Sequence, residues 1–161
     1  MKAVVITKAG GPEVLRLQEV PEPAIGPDDL LVEVKATALN RADLLQRRGG
    51  YPSPGDVRAD ILGLEMAGVV VKVGTRATGF KAGDRVLALL NGAGYAERVA
   101  IHHAMALPIP ANLSFEQAAS LPEVFITAYD ALFNWCQLQM GERALRAPEA
   151  TGTSGYRSMI Q

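Results

Sequence analysis

From Leu30 to Thr37 the chain alternates, with Leu30, Val32, Val34 and Ala36 on one face and Glu33, Lys35 and Thr37 on the other. A period of two with one apolar face predicts a half-buried strand. Shorter strand signals lie at Val4 to Ile6 and Val14 to Leu17, and the turn-rich Lys8-Ala9-Gly10-Gly11-Pro12 between them predicts an antiparallel hairpin. Val69 to Val73, Arg85 to Leu89 and Arg98 to Ile101 add three strands, spaced by Lys81-Ala82-Gly83-Asp84 and Asn91-Gly92-Ala93-Gly94. Many short strands joined by turns predict a barrel or a sandwich.

Helical signals are fewer and lie elsewhere. Asn40 can cap a short helix over roughly residues 41 to 47, with Asp43 in its first turn, where negative charge suits the helix dipole. Gly49-Gly50-Tyr51-Pro52-Ser53-Pro54-Gly55 predicts a loop, which puts Tyr51 on irregular backbone. Ser114 to Gln117 has capping-box spacing, and Pro122 suits a first turn ahead of an apolar, aromatic helix from Phe125 to Leu138.

The densest information lies in Ile61-Leu62-Gly63-Leu64-Glu65-Met66-Ala67-Gly68-Val69-Val70-Val71-Lys72-Val73-Gly74. Its valines favour a strand, and Gly63, Gly68 and Gly74 allow tight turns or close backbone approach. Glu65 sits among apolar neighbours, where an unpaired carboxylate is costly. A backbone amide, Arg41 or Arg47 is its expected partner.

Composition narrows the function. With 161 residues, 48% of them hydrophobic, one domain is expected rather than two. Sixteen basic and 17 acidic residues give a net charge of −1 without long runs of either sign, which points away from nucleic acid and anionic membrane surfaces and leaves small neutral ligands open. Cys136 is the only cysteine, so an internal disulfide is excluded, a reducing compartment is expected, and cytoplasmic location is the default. The N-terminal apolar run is too short for a signal peptide, and no stretch has the length of a membrane span.

Ala38-Leu39-Asn40-Arg41-Ala42-Asp43, Gly63-Leu64-Glu65-Met66-Ala67-Gly68, Lys81-Ala82-Gly83-Asp84-Arg85-Val86, Gly92-Ala93-Gly94-Tyr95-Ala96-Glu97 and Leu121-Pro122-Glu123 occur in that order. In this series the chain resembles the zinc-free medium-chain dehydrogenase/reductases, in particular the NADPH:quinone oxidoreductases. The likeness covers about residues 1 to 145. It implies a mainly β architecture with helices: a GroES-like β-barrel catalytic domain over 1–125, a helix and the start of an incomplete nucleotide-binding (Rossmann) domain over 126–145, and a tail over 146–161 without family character.

The resemblance also implies roles. Asn40 and Gln46 stand as amides near the nicotinamide or the substrate, Tyr51 as the hydroxyl that polarises a quinone carbonyl, Asp43 as a cleft residue, and Thr127 beside the nicotinamide ribose or amide. NADPH is the implied cofactor and a small quinone the implied acceptor. Read without the resemblance, Asn40 and Asp43 are helix-start residues on any fold, Tyr51 covers a core edge, and Thr127 is a back-bonded helix threonine. No metal is expected: Leu64 stands where a zinc-dependent relative carries a histidine, and His102 and His103, as strand neighbours, are expected to point to opposite faces. After Gly141-Glu142-Arg143 the family continues into a glycine-rich phosphate loop, whereas here Thr151-Gly152-Thr153-Ser154-Gly155 has the wrong spacing. The alternative reading is therefore a non-enzymatic GroES-like fragment or splice form that self-associates, or pairs with and regulates a full-length relative.

Overall fold

The computed structural model describes residues 1–51 and 58–144. Most of the glycine- and proline-rich loop after Tyr51 and the tail from residue 146 lie outside the described residues. The chain divides into two units, Met1–Glu123 and Val124–Gln161.

The first unit is built on a five-stranded antiparallel sheet of β3 (Asp29–Ala36), β4 (Glu65–Val73), β5 (Arg85–Leu89), β6 (Arg98–His102) and β7 (Leu107–Pro108), in the order β6-β3-β4-β5-β7. A ribbon of β1 (Lys2–Ile6) and β2 (Leu15–Glu19) joins it through bridges from Ala3 to Ala96 and from Val5 to Ile61. The alternation in β3 puts Leu30 and Val32 into a core with Met66 and Val70 of β4, Val86 and Ala88 of β5, and Val99 and Ile101 of β6. On the opposite face of β4 and β5, Ala67 and Leu87 pack with Ala118 and Ala119 of α2 (Phe115–Ala119). The start of β4 is thus covered on both faces, and Glu65, Met66 and Ala67 are all buried.

Several elements differ from the sequence expectation. The central strand begins at Glu65 rather than Val69, because Gly68 serves close strand approach and not a turn: a Cβ there would lie 2.2 Å from the Glu33 carbonyl oxygen. Val14 ends a 3-10 turn (Pro12–Val14), so β2 starts one residue later than predicted. His102 ends β6 while His103 opens a 3-10 turn (His103–Met105), and their rings stack with centroids 4.8 Å apart instead of pointing to opposite faces. Strand alternation does not continue through a turn. In contrast, α1 spans Arg41–Arg47, as its cap and first-turn charge predict.

In the second unit the chain continues α3, which runs from Pro122 to Tyr129, and then widens into a π-helical turn over Asp130–Trp135. Asp130 accepts from Asn134 Nδ2 and Trp135 Nε1, both at 2.8 Å. These side-chain bonds reach four and five residues forward and accompany the widening that ends the predicted regular helix to Leu138. Phe125, Tyr129, Phe133 and Trp135 are exposed.

Candidate functional site

Strand alternation sets Glu65 on the same face of β4 as Ala67, the face that α2 covers. Its backbone is held by pairing opposite Leu89 of β5, and its carbonyl accepts from Thr37 Oγ1 at 2.6 Å. The buried carboxylate, 1% exposed, uses both oxygens: Oε1 accepts from Asn40 Nδ2 and Oε2 from the Glu123 backbone N–H, each at 2.8 Å. A backbone amide is therefore a partner, as expected, but neither Arg41 nor Arg47 is. Arg47 Nε donates to the Gly10 carbonyl oxygen instead, at 3.2 Å.

At the start of α1 the expected cap is present as a capping box of Asn40 and Asp43. Asp43 reaches back to accept from the Asn40 backbone N–H at 2.7 Å, while the Asn40 amide nitrogen turns to Glu65. Asp43, Gln46 and Arg47 recur at helical spacing and make a buried face that is polar. Gln46 Nε2 donates to the Ala59 carbonyl oxygen at 3.1 Å.

Tyr95, to which the sequence alone assigned no role, completes the cluster. Its hydroxyl donates to Asp43 Oδ2 at 2.7 Å, with the Ala38 carbonyl oxygen 3.2 Å away. The ring reaches this position because residues 93 to 95 lie against 61 to 63, through Ala93 N–H to Ile61 O, Gly94 N–H to Gly63 O and Tyr95 N–H to Leu62 O. Gly63 has φ +105°, and a Cβ on it would sit 2.7 Å from Gly94 Cα and from Tyr95 N. Only glycine fits.

Electrostatically this is a cluster of carboxyls held by neutral donors. Burial, then the hydrogen bond to Asp43 and the Asp43 and Glu65 charges, push the Tyr95 phenol well above the ordinary tyrosine range. The Glu123 carboxyl is raised by burial and by Glu65 and Asp43. Asp43 Oδ1 is buried and has no hydrogen-bond partner among the described residues.

Of the residues named from sequence, Asn40 and Asp43 are bonded to each other, and Gln46 lies one turn further along the same helix. Tyr51, 38% exposed, makes no hydrogen bond among the described residues. Thr127 is exposed on α3 and belongs to the second unit. Tyr95, Glu65 and Glu123 all lie in the ordered motifs, yet their connection to α1 is a long-range contact without local periodicity.

The pH dependence of Tyr95 is testable. Its folded pKa lies above the unfolded one, so its contribution to stability is complete below the ordinary value of about 10 and lost as pH rises beyond it. Spectrophotometric titration should leave one tyrosine un-ionised above about pH 11 until the chain unfolds, and Tyr95→Phe should remove that late component. Tyr95→Phe should cost about 1.5 kcal/mol at pH 7 through the lost bond to Asp43, against about 1 kcal/mol or less for Tyr51→Phe. A larger cost at Tyr51 would make that residue structural.

An antiparallel five-stranded sheet with a two-stranded ribbon, and a polar cluster where the first helix begins, make up a GroES-like domain of the medium-chain dehydrogenase/reductase class. The chain belongs to the alcohol dehydrogenase GroES-like domain family, which matches residues 26–111, more than half of its length. It is 37% identical over 147 residues to the human synaptic vesicle membrane protein VAT-1 homolog, covering 90% of this chain and 37% of that protein. The crystal structure of the human VAT-1 homolog-like protein superposes with a TM-score of 0.81 at 36% identity, over 88% of this chain and 46% of that one. Escherichia coli quinone oxidoreductase complexed with NADPH superposes with a TM-score of 0.75 at 36% identity, over 82% and 40% respectively. The chain spans less than half the length of these relatives.

The Asn40 and Gln46 amides and the Asp43 carboxylate are groups of the kind a nicotinamide carboxamide would bond, with the two amide nitrogens turned to Glu65 and to the Ala59 carbonyl and Asp43 Oδ1 buried. Nothing in the 161 residues has the glycine spacing that cradles a pyrophosphate.

Proposed function

We propose that this chain is the catalytic barrel of an NADPH-dependent quinone oxidoreductase that works without zinc. The carrying observation is the Asn40–Asp43–Glu65–Tyr95 network, which fixes an amide and a carboxylate at the N-terminus of α1 and engages neither histidine nor the cysteine. Leu64, 4% exposed, presents an apolar side chain where a zinc ligand would be needed. When bound, the reduced nicotinamide supplies hydride. The chain's own residues hold and orient: Asn40 and Gln46 position the nicotinamide end, and Tyr51 donates a hydrogen bond to the acceptor oxygen as charge develops there. A quinone needs no stronger electrophilic help, because the product anion is delocalised. We place the activity in the cytoplasm, in keeping with one free thiol, Cys136.

Titration of the 15N-labelled chain with a simple para-quinone tests the acceptor site, with Cys136→Ser introduced to prevent thiol addition. Shift changes should concentrate at Asn40, Gln46 and Tyr51. Changes confined to other surfaces would refute the assignment.

The second reading, a non-enzymatic domain that self-associates or pairs with a full-length relative, draws support from the second unit. Val124, Phe125, Tyr129, Phe133 and Trp135 are each about half exposed or more, an apolar concentration that favours association.

A further inference from the structure

We infer that Glu65 is a positioning residue for Asn40: the buried carboxylate fixes the side-chain amide that faces the ligand without touching the ligand itself. This rests on the reading of Asn40 as a ligand-facing amide.

The geometry leaves Glu65 little freedom. Its main chain is locked in β4 by pairing to β5 and by the Thr37 hydroxyl, and its side chain is 1% exposed. Among the described residues it has no ion-pair partner. A buried charge without a counter-ion persists only where its oxygens are well bonded, and here both are, to Asn40 Nδ2 and to the Glu123 N–H.

Charge and geometry together explain why a glutamate suits this place. A carboxylate accepts at both ends, whereas glutamine accepts at one and would turn a donor against a donor at the other. Because a carboxylate only accepts, the amide nitrogen of Asn40 must face it, so the carbonyl oxygen faces away. Asn40 is then clamped twice, its backbone N–H by Asp43 and its side chain by Glu65. Tyr95 steadies Asp43 in turn. The outcome is one fixed amide plane, the condition for orienting a planar ligand.

A merely structural acid would tie Glu123 and leave the Asn40 amide free, which side-chain hydrogen exchange distinguishes. In the 15N-labelled chain, with the signals assigned by their loss in Asn40→Ala, the Asn40 side-chain protons should exchange with water about tenfold more slowly than those of exposed Asn112. Equal rates in the parent chain would overturn the inference without any variant. In Glu65→Gln the Asn40 exchange should accelerate about fivefold or more, because the charge is lost in either orientation of the new amide, while backbone protection in β3 and β5 is kept. Acceleration at the Glu123 backbone amide alone would also overturn it. Neither measurement involves cofactor, quinone or turnover, so a failure here is separable from a failure of the quinone reading.

Discussion

Assayed by itself, the 161-residue chain should bind NADPH no more tightly than about 1 mM and should show no measurable quinone reduction. The dinucleotide gains most of its affinity from pyrophosphate on loop amides, ribose contacts and adenine burial, and the 161 residues have no glycine-rich loop with that spacing. On the proposed function, this domain offers groups for the nicotinamide end alone. A few hydrogen bonds from Asn40 and Gln46, at roughly 1 kcal/mol each, do not offset the translational and rotational cost of association. Fluorescence titration with reduced cofactor gives the affinity. A micromolar constant would mean that the chain carries a nucleotide site of its own.

The second large effect is expected at Gly63. Gly63→Ala should destabilise the fold by about 3 kcal/mol or more, since it combines a strained left-handed alanine with collision against backbone that cannot turn aside. The new methyl would lie 2.7 Å from Gly94 Cα and from Tyr95 N, at φ +105°. Gly83→Ala is the control, with φ +93° but nothing within 4 Å of its added Cβ. It isolates the conformational part and should cost about 1 kcal/mol. Chemical denaturation of both variants gives the difference. If Gly63→Ala cost no more than Gly83→Ala, the close approach that carries Tyr95 to Asp43 would not be rigid.

The hydrophobic pattern was informative where one face alone is buried. In β3 the alternation and the observed core agree at Leu30 and Val32, and α1 was readable because Asn40 and Asp43 mark its start. It failed where burial is two-sided or backbone approach decides. The strand signal starts at Val69, yet the chain pairs from Glu65 onward, opposite Leu89 of β5, with β3 packed tightly against Gly68. β7 is two residues long, one of them proline, and offers no period to read. The same limit applies to the site. Asn40 and Asp43 were visible as local helix signals, but their bonds to Glu65 and Tyr95 span 25 and 52 residues and arise only when the strands assemble. Tyr51 and Thr127 were named through resemblance, and no hydrogen bond among the described residues ties either one to this network.

The most direct measurement is steady-state reduction of a simple ortho- or para-quinone by NADPH, comparing the chain alone with residues 1–144 joined to the nucleotide-binding half of a quinone oxidoreductase. The joined protein should turn over, keep its activity after chelator washing, and lose about tenfold or more in kcat on Tyr51→Phe, while the chain alone stays inactive. Turnover by the chain alone, or a joined protein that folds and binds NADPH yet reduces no quinone, would contradict the account.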